Sequence, residues 1–244
     1  MPEERLQKIL SKSGFGSRRD CEKLISNGQV KVNGQLAMLG SKADPQIDKI
    51  ELNGKRVPYK ALNEIFIVFN KPKNVLSDIK KKDDRSILRD FIDMDDYLFI
   101  VGRLDFESEG LILLTNNGEI ANKLTHPRYE HEKEYRVLCS KMPDDDQMKI
   151  WRRGVVLEGG IRTLPAIVEH IGKEKEKFWL KVVMKEGKKR QIREIGKTLG
   201  LPIKRIIRVR IGSIHLGKLK PGEWRFLNSA EINKLKNVID SSGS

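Results

Sequence analysis

Cysteine is scarce in this sequence, and long apolar runs are missing. The 244 residues include two cysteines, Cys21 and Cys139, which are far apart and show no Cys-x-x-Cys or Cys-His spacing. The four histidines form no recognised ligand pattern, so the sequence disfavours a metal site, disulfides and redox chemistry. No segment reaches the roughly 20 apolar residues of a membrane span, and the start at Met1 lacks the apolar stretch of a signal peptide. We therefore expect a cytoplasmic protein with no membrane partner.

Basic residues are in clear excess. Lysine and arginine number 48 against 34 aspartates and glutamates, which gives a formal net charge of +14. A charge of this size favours a polyanionic partner, although simple solubility is the plainer explanation. The length suits one sizeable domain and a small one. The sequence contains no glycine-rich phosphate loop of the usual patterns, so no nucleotide cofactor is expected.

The N-terminal part is predicted to form two short helices and a hairpin. Leu6, Ile9 and Leu10 recur at helical spacing, and Ser17 is placed to cap a second helix, which would bury Cys21. Residues 29–34 then alternate as a strand that ends in an Asn-Gly turn. Around this small core are cations suited to contacting phosphates, at Arg5, Lys8, Arg18, Arg19 and Lys31.

This arrangement, over roughly residues 3 to 55, resembles the S4-like RNA-binding domain. The resemblance implies RNA binding and says little about which RNA. The alternative is a generic helix–hairpin domain whose basic face is merely solvated. We predict an S4-like domain over residues 1–57, a linker over 58–63 and a second domain over 64–240.

The second domain is predicted to belong to the α+β class, with a mixed, largely antiparallel sheet. Strands and helices are intermixed without a repeating βαβ rhythm. The apolar run at 65–69 predicts a buried strand, and Leu111–Leu114 predicts a central one. Further strands are expected at 134–138, 161–168, 178–183, 211–216 and 224–227, with helices at 119–125, at 191–199 and after an Asn228 cap.

Three polar segments of this domain carry candidate chemistry, namely 102–118, 132–137 and 186–193. In the first, Asp105 lies beside an apolar run, where a carboxylate is either paired with a cation or held for catalysis. Singly, each segment has an ordinary explanation. Asp105 pairs with Arg103, Tyr135 fills the core, and Lys188–Arg190 is a solvated run of charges.

Together the three segments resemble the pseudouridine synthases of the ribosomal small-subunit pseudouridine synthase A family, whose members carry an N-terminal S4-like domain. The signature is Gly-Arg-Leu-Asp-x-x-Ser-x-Gly-Leu from Gly102, and further markers are residues 70–72, Lys133-x-Tyr135 and 190–193. The family usually has glycine where this chain has Asn74, and aspartate where it has Asn117. Because asparagine tolerates left-handed backbone, we expect the turn at Asn74 to be preserved.

The resemblance implies the isomerisation of uridine to pseudouridine, which needs no redox cofactor, nucleotide or metal. Asp105 is the expected catalytic carboxylate at the anomeric carbon, and Arg193 is expected to pair with it. Tyr135 would stack on the uracil, and Ile192 would form part of the apolar floor. The uridine must be unstacked to reach the site, and Arg103 would fill the vacated space or hold the backbone. Phosphate contacts are expected from Lys188, Lys189 and Arg190, and in part from Lys204, Arg205, Arg208 and Arg210.

The implied partner is ribosomal RNA or a pre-ribosomal particle, with the large-subunit rRNA favoured, and a monomer is the default expectation. A rival interpretation is a non-catalytic RNA-binding factor for ribosome assembly, which has no need for Asp105, Tyr135 and Arg193 together. Another is a metal-dependent RNA-cleaving enzyme that uses the aspartate clusters at 93–96 and 144–146. Both clusters adjoin predicted helix starts, where capping is the simpler explanation.

Overall fold

The computed structural model describes residues 3–58 and 63–241. The described residues up to Ile65, with Met94–Phe99 and Thr115–Glu119, form one compact unit, and the rest of the described chain forms a second. Most of the predicted linker, residues 59–62, lies outside the described residues, so the predicted domain bounds stay a prediction. In the described ranges, no helix is long and apolar enough to cross a bilayer.

The first unit is built from short elements. They are β1 (Glu4–Arg5), α1 (Leu6–Lys12), α2 (Arg18–Ser26), β2 (Val30–Val32), β3 (Gln35–Leu36), β4 (Lys42–Ala43), β5 (Ile50–Leu52) and β6 (Lys55–Arg56). The strands pair in the order β3-β2-β5-β6, and β1 pairs with β4.

Local sequence signals account for this unit. The Ser17 hydroxyl accepts a hydrogen bond from the Asp20 amide, and the Asp20 carboxylate accepts one from the Ser17 amide, so the predicted cap of α2 is confirmed. Asn33 and Gly34 both adopt positive φ in the β2–β3 turn, as an Asn-Gly hairpin requires. Cys21 is fully buried in the core with Leu6 and Ile9, which confirms its assignment as a small core residue.

The second unit contains the larger sheet, except that Phe99 and Thr115 at the ends of two strands, and Gly118 and Glu119 at the start of a helix, are assigned to the first unit. Its strands are β7 (Phe66–Lys71), β8 (Phe99–Val101), β9 (Glu109–Thr115), β10 (Lys133–Cys139), β11 (Ile167–Glu174), β12 (Lys177–Met184), β13 (Ile203–Ile211), β14 (Ile214–His215) and β15 (Trp224–Phe226). Its helices are α3 (Gly118–Thr125), α4 (Asp145–Arg153), α5 (Gln191–Thr198) and α6 (Ser229–Ser241), with 3₁₀ turns at Leu88–Phe91 and Pro127–Tyr129.

Within the described residues this sheet runs β11-β12-β10-β13-β9-β7-β15, with β14 on β13 and β8 on β9. β10 pairs antiparallel with β12 and β13, as do β11 with β12, β13 with β14 and β7 with β15. β9 and β13 are parallel and pair Glu109 with Ile207 and Gly110 with Arg208. The α+β class and the mixed, largely antiparallel sheet are therefore confirmed. β9 is buried along its whole length, as expected of a central strand.

Two strand predictions were wrong in their bounds. Residues 161–166 are not part of β11, which begins at Ile167. The strand expected at 211–216 is instead the end of a nine-residue strand, β13, followed by a tight turn into β14. The arginines and lysines of β13 stand at both buried and exposed positions, so the alternation of apolar and polar residues that indicates a strand is not visible in its sequence. Two capping predictions are confirmed, because Asp144 caps α4 and Asn228 shares reciprocal hydrogen bonds with Glu231.

Candidate active site

A cavity of about 920 Å³ opens in the second unit beside the Asp105 loop. Its volume suits a ligand of nucleotide size. Seven residues expected at the site line it together: Arg103, Asp105, Tyr135, Lys188, Lys189, Arg190 and Ile192. Tyr135 and Ile192 are 7% and 6% exposed, so they form apolar wall, whereas the Asp105 side of the cavity remains partly open.

The loop that carries Asp105 is fixed by its backbone. Ser77 Oγ donates to the Leu104 carbonyl at 2.7 Å and accepts from the Leu104 amide at 3.0 Å. The Asp105 carbonyl accepts from the Ser108 amide at 3.0 Å. Ser77 and Ser108 are both buried, so solvent does not compete for these bonds. The peptide groups on both sides of Asp105 are therefore held in place.

Lys71 holds the next carbonyl of the loop. Its ammonium group is fully buried and donates to the carbonyls of Pro72, Val75 and Phe106, at 2.8, 2.8 and 3.3 Å. Burial lowers the pKa of Lys71 from its ordinary 10.5 to about 8, against the opposing effect of the Glu109 and Asp105 carboxylates. Lys71 therefore fixes the Phe106 carbonyl, which belongs to the residue directly after Asp105.

Asn74 completes the turn next to this loop. Its amide donates to the Phe106 carbonyl at 2.8 Å, and its φ of 62° lies in the left-handed region. The expectation that asparagine preserves this turn in place of glycine is confirmed.

Arg208 holds the start of the loop from the opposite side. Its guanidinium donates to the carbonyls of Leu111, Arg103 and Gly102, at 2.7, 3.3 and 3.4 Å. Arg208 is 1% exposed, so the expectation that it contacts RNA phosphates is wrong. Burial lowers the pKa of its guanidinium, and its interaction with Tyr135 opposes that shift.

Two other arginines of β13 have carboxylate partners. Arg205 forms a bidentate pair with the buried Glu109, at 2.9 and 2.8 Å. Arg210 contacts Glu134 at 3.1 Å and Glu132 at 3.0 Å. The Arg210 side chain is 16% exposed and engaged by two carboxylates, so it is not free for the phosphate contact expected of it, whereas Arg205 is 44% exposed and its phosphate contact stays a prediction. Lys204 is exposed, and its phosphate contact stays a prediction.

The predicted pair between Arg193 and Asp105 is not formed. Arg193 Nη2 lies 3.5 Å from the Glu107 carbonyl, and its Nε lies 3.7 Å from a Glu107 carboxylate oxygen. Arg190 reaches the same carboxylate at 3.6 Å. Glu107, two positions after Asp105, holds Arg193 instead, and the Asp105 carboxylate acts to raise the pKa of the buried Lys71 ammonium. The sequence alone does not indicate which of the two carboxylates, Asp105 or Glu107, pairs with Arg193.

The basic run beside the cavity is exposed, as expected for phosphate contacts. Lys188 is partly restrained, because its ammonium lies 2.7 Å from Glu186 and donates to the Arg162 carbonyl at 3.1 Å. Burial acts to raise the pKa of Glu186, but hydrogen bonds from Lys188, the Leu164 amide and Gln191 outweigh it, and the pKa is lowered. Arg190 adopts left-handed backbone immediately before α5. The roles of Lys188, Lys189 and Arg190 stay predictions.

The cations predicted to bind RNA in the first unit lie on or near its surface. Arg5, Arg18, Arg19 and Lys31 are exposed. Lys8 is half-buried and lies 3.4 Å from Glu4, an i,i+4 partner on the same turn of chain. Their contacts with RNA stay predictions.

Sequence reasoning missed the loop-holding roles of three residues, Lys71, Ser77 and Arg208. Lys71 stands two residues after the apolar run at 65–69 and is the last residue of the buried strand β7, so the length of that strand was a usable signal for burial at position 71. The period-two alternation of β13 places Arg208 on the same face as the buried Ile206, which was a second signal. No feature of the sequence singles out Ser77.

The geometry defines a fixed carboxylate at the mouth of a cavity with an aromatic and aliphatic wall and a basic rim. Such a site suits chemistry on a planar ring carried by a polyanion. Comparison with known proteins agrees. The model of the RNA pseudouridylate synthase family matches residues 65–196, and the S4 domain model matches residues 4–44. The chain belongs to the RNA pseudouridylate synthase family, as the sequence resemblance predicted.

Relatives match along nearly the whole chain. It is 39% identical to an uncharacterized RNA pseudouridine synthase of Aquifex aeolicus, covering 98% of this chain and 96% of that protein. It is 34% identical to ribosomal large subunit pseudouridine synthase B of Bacillus subtilis, covering 97% of each. A crystal structure of a pseudouridylate synthase matches with a TM-score of 0.68 and 28% identity, over 95% of this chain and 99% of that one.

Proposed function

We propose that this protein isomerises a specific uridine of large-subunit ribosomal RNA to pseudouridine, with Asp105 as the catalytic carboxylate. The observation that carries the proposal is the backbone support of Asp105. Every carbonyl from Gly102 to Phe106 accepts a hydrogen bond from a fixed donor of the second unit. A loop held at five consecutive carbonyls presents its carboxylate without the cost of ordering it during the reaction.

The remaining residues of the cavity are assigned by their position. Tyr135 and Ile192 supply the aromatic and aliphatic wall against which a flipped uracil packs, and unstacking the uridine costs roughly a few kcal/mol. Arg103 is exposed at the loop and is placed to occupy the space that the flipped base leaves. Arg193, together with Arg190, holds Glu107 and so acts on the loop instead of on Asp105 directly.

The choice of substrate rests on relatives and on charge. Relatives from Bacillus subtilis and Yersinia pestis, 34% and 36% identical, are named ribosomal large subunit pseudouridine synthase B. The net charge of +14 and the exposed cations of the first unit and of residues 188–190 suit an extended RNA. We further propose that the enzyme is a cytoplasmic monomer that acts on rRNA or a pre-ribosomal particle without a nucleotide cofactor.

The test is chemical mapping of pseudouridine on unmodified large- and small-subunit rRNA, each incubated with purified protein. The wild type is compared with Asp105→Asn, and Asp95→Asn serves as the control because Asp95 is an exposed carboxylate outside the cavity. We expect one new site on the large-subunit rRNA, lost by at least about a thousand-fold in Asp105→Asn and kept in Asp95→Asn.

Each other outcome revises a particular part of the proposal. Modification of small-subunit rRNA alone overturns the choice of subunit. Full turnover by Asp105→Asn overturns the catalytic assignment. Tight binding without modification of either free rRNA or pre-ribosomal particles favours the assembly-factor interpretation.

A further inference from the structure

Arg208 is a buried cation without a carboxylate partner in the part of the chain that the structure describes. Its side chain is 1% exposed and completely enclosed, whereas Arg205 and Arg210 on the same strand each contact carboxylates. Burying a charge is costly unless other polar groups compensate for it. For Arg208 the compensation comes from the backbone carbonyls of Leu111, Arg103 and Gly102, two of which belong to the loop that carries Asp105.

The same guanidinium also faces Tyr135. Tyr135 on β10 is the cross-strand partner of Arg208 on β13, so the two side chains share one face of the sheet. Burial lowers the pKa of the Arg208 guanidinium, and Tyr135 acts in the opposite direction. Arg208 therefore binds the loop of Asp105 on one side of the cavity and is the strand neighbour of Tyr135 on the other.

The local backbone is built for this approach. Gly110 on β9 pairs with Arg208, and a Cβ added to Gly110 would lie 2.3 Å from the Arg208 carbonyl oxygen. A side chain at position 110 would push β13 away from the loop. The glycine thus allows the strand that carries Arg208 to lie directly against the strand that follows Asp105.

We propose that Arg208 is a positioning residue that sets Asp105 and Tyr135 relative to each other through one rigid guanidinium group. The proposal rests on the roles assigned above to Asp105 and Tyr135. Arginine has five N–H donors in a planar fork, and three of them are used on the loop and strand carbonyls. In the proposed arrangement, a remaining donor serves the oxygen of Tyr135, the cross-strand partner of Arg208.

The chemistry of arginine is needed for this role. Lysine keeps the positive charge, but its ammonium is a single compact donor group. It cannot reproduce the planar fork of a guanidinium, which donates to the loop carbonyls and to a hydroxyl in different directions. An Arg208→Lys variant therefore separates positioning from charge. Its matched control is Arg210→Lys, two residues along β13, whose partners are carboxylates outside the cavity lining.

The experiment is a double-mutant cycle on turnover, with pseudouridine formation measured on the modified rRNA transcript. We expect Arg208→Lys to lower kcat roughly 10- to 100-fold with KM almost unchanged, because small displacements of reacting groups cost factors of this size. Tyr135→Phe should also lower kcat, and the double variant should be no slower than the slower single variant. Arg210→Lys should keep the wild-type kcat.

Two outcomes separate this inference from the proposed function. If Tyr135→Phe keeps full kcat, the role assigned to Tyr135 is wrong. If Tyr135→Phe is slow while Arg208→Lys keeps full kcat, or if the two losses multiply, the positioning role of Arg208 is overturned and the proposed function stands.

A second measurement does not require the Arg208 variant to fold. The proposal requires an N–H donor of Arg208 to serve the Tyr135 hydroxyl, so Tyr135→Phe should leave a buried donor unpaired and unfold at a lower urea concentration than the wild type. An unchanged urea midpoint in Tyr135→Phe would overturn the contact, and with it the proposal.

Discussion

The two units of this protein use their basic residues in opposite ways. In the first unit, Arg18, Arg19 and Lys31 are exposed around a small apolar core. In the second, Lys71 and Arg208 are 0% and 1% exposed and donate to backbone carbonyls of the Asp105 loop. The same residue types thus supply a surface suited to phosphates in one region and the internal framework of a site in the other.

The difference shows that net charge alone does not reveal how many cations are available to a partner. A net charge of +14 indicates a polyanionic partner, but it includes cations that never meet solvent. Arginine and lysine enter the interior here because the irregular loop from Gly102 to Phe106 leaves carbonyls without partners in the sheet. A buried cation satisfies several such carbonyls at once, and they in turn compensate for its charge.

The strongest test of the internal framework is Gly110→Ala. A Cβ there would lie 2.3 Å from the Arg208 carbonyl oxygen, at a φ of 106° that side chains rarely adopt. We expect the free energy of unfolding, measured with urea, to fall by roughly 3 kcal/mol or more. Gly187→Ala is the control, because a Cβ at Gly187 meets nothing within 4 Å. Equal stability of the two variants would contradict the tight approach of β9 and β13.

A smaller loss is expected for Arg205→Gln. This change leaves the Glu109 carboxylate, which is 8% exposed, without its bidentate partner. The free energy of unfolding should fall by roughly 1–3 kcal/mol, and filter binding measures separately whether Arg205 contributes to the affinity for rRNA. A weaker affinity with unchanged stability would return Arg205 to the phosphate-binding surface.

The opposite result is expected in the first unit. The double variant Arg18→Gln, Arg19→Gln should bind rRNA more weakly, and the slope of log affinity against log salt should shrink by roughly 1.5, because two phosphate contacts are lost. Its free energy of unfolding should stay within about 0.5 kcal/mol of the wild type, since both side chains are exposed. An unchanged salt slope would remove these arginines from the RNA interface.

The smallest effect concerns pH. Burial holds the pKa of Lys71 and Lys133 at about 8, below the ordinary 10.5 of an unfolded chain. Between pH 8 and 9 the unfolded state therefore binds more protons than the folded state, and the free energy of unfolding should rise with pH. Above pH 9 the buried Cys139 opposes the rise, because its pKa is raised to about 12. Urea titrations at pH 7.5, 8.5 and 9 measure the rise, which should be smaller in Lys71→Met.

The family, the fold class and most of the residues that line the cavity were predictable from the sequence, because they depend on motifs and on local patterns. The Ser17 cap, the Asn33-Gly34 turn and the buried β9 follow from a few neighbouring residues. The pairing of charges was not predictable to the same degree. Arg193 contacts Glu107 instead of Asp105, and this choice depends on the path of a loop and a helix start far apart in sequence.

Register explains the remaining errors. Arg208 was expected at the surface because it stands among cations, but β13 turns its even-numbered positions 206 and 208 inward. Arg205 and Arg210 meet glutamates of β9 and of the β10 region that only strand pairing brings near them. These contacts depend on which strands become neighbours, and that information is spread over the whole chain.

The hydrogen bond from Arg208 to the Gly102 carbonyl spans 106 residues of sequence. A ribosome that adds about 5 to 20 residues per second makes Gly102 roughly 5 to 20 s before Arg208. The nascent chain therefore contains the whole aspartate motif before Arg208, which donates to the Gly102 carbonyl, has been synthesised. Because closing so long a loop comes late in folding, the Asp105 loop is completed only after Arg208 has been synthesised, and shorter nascent chains carry the aspartate motif without this support.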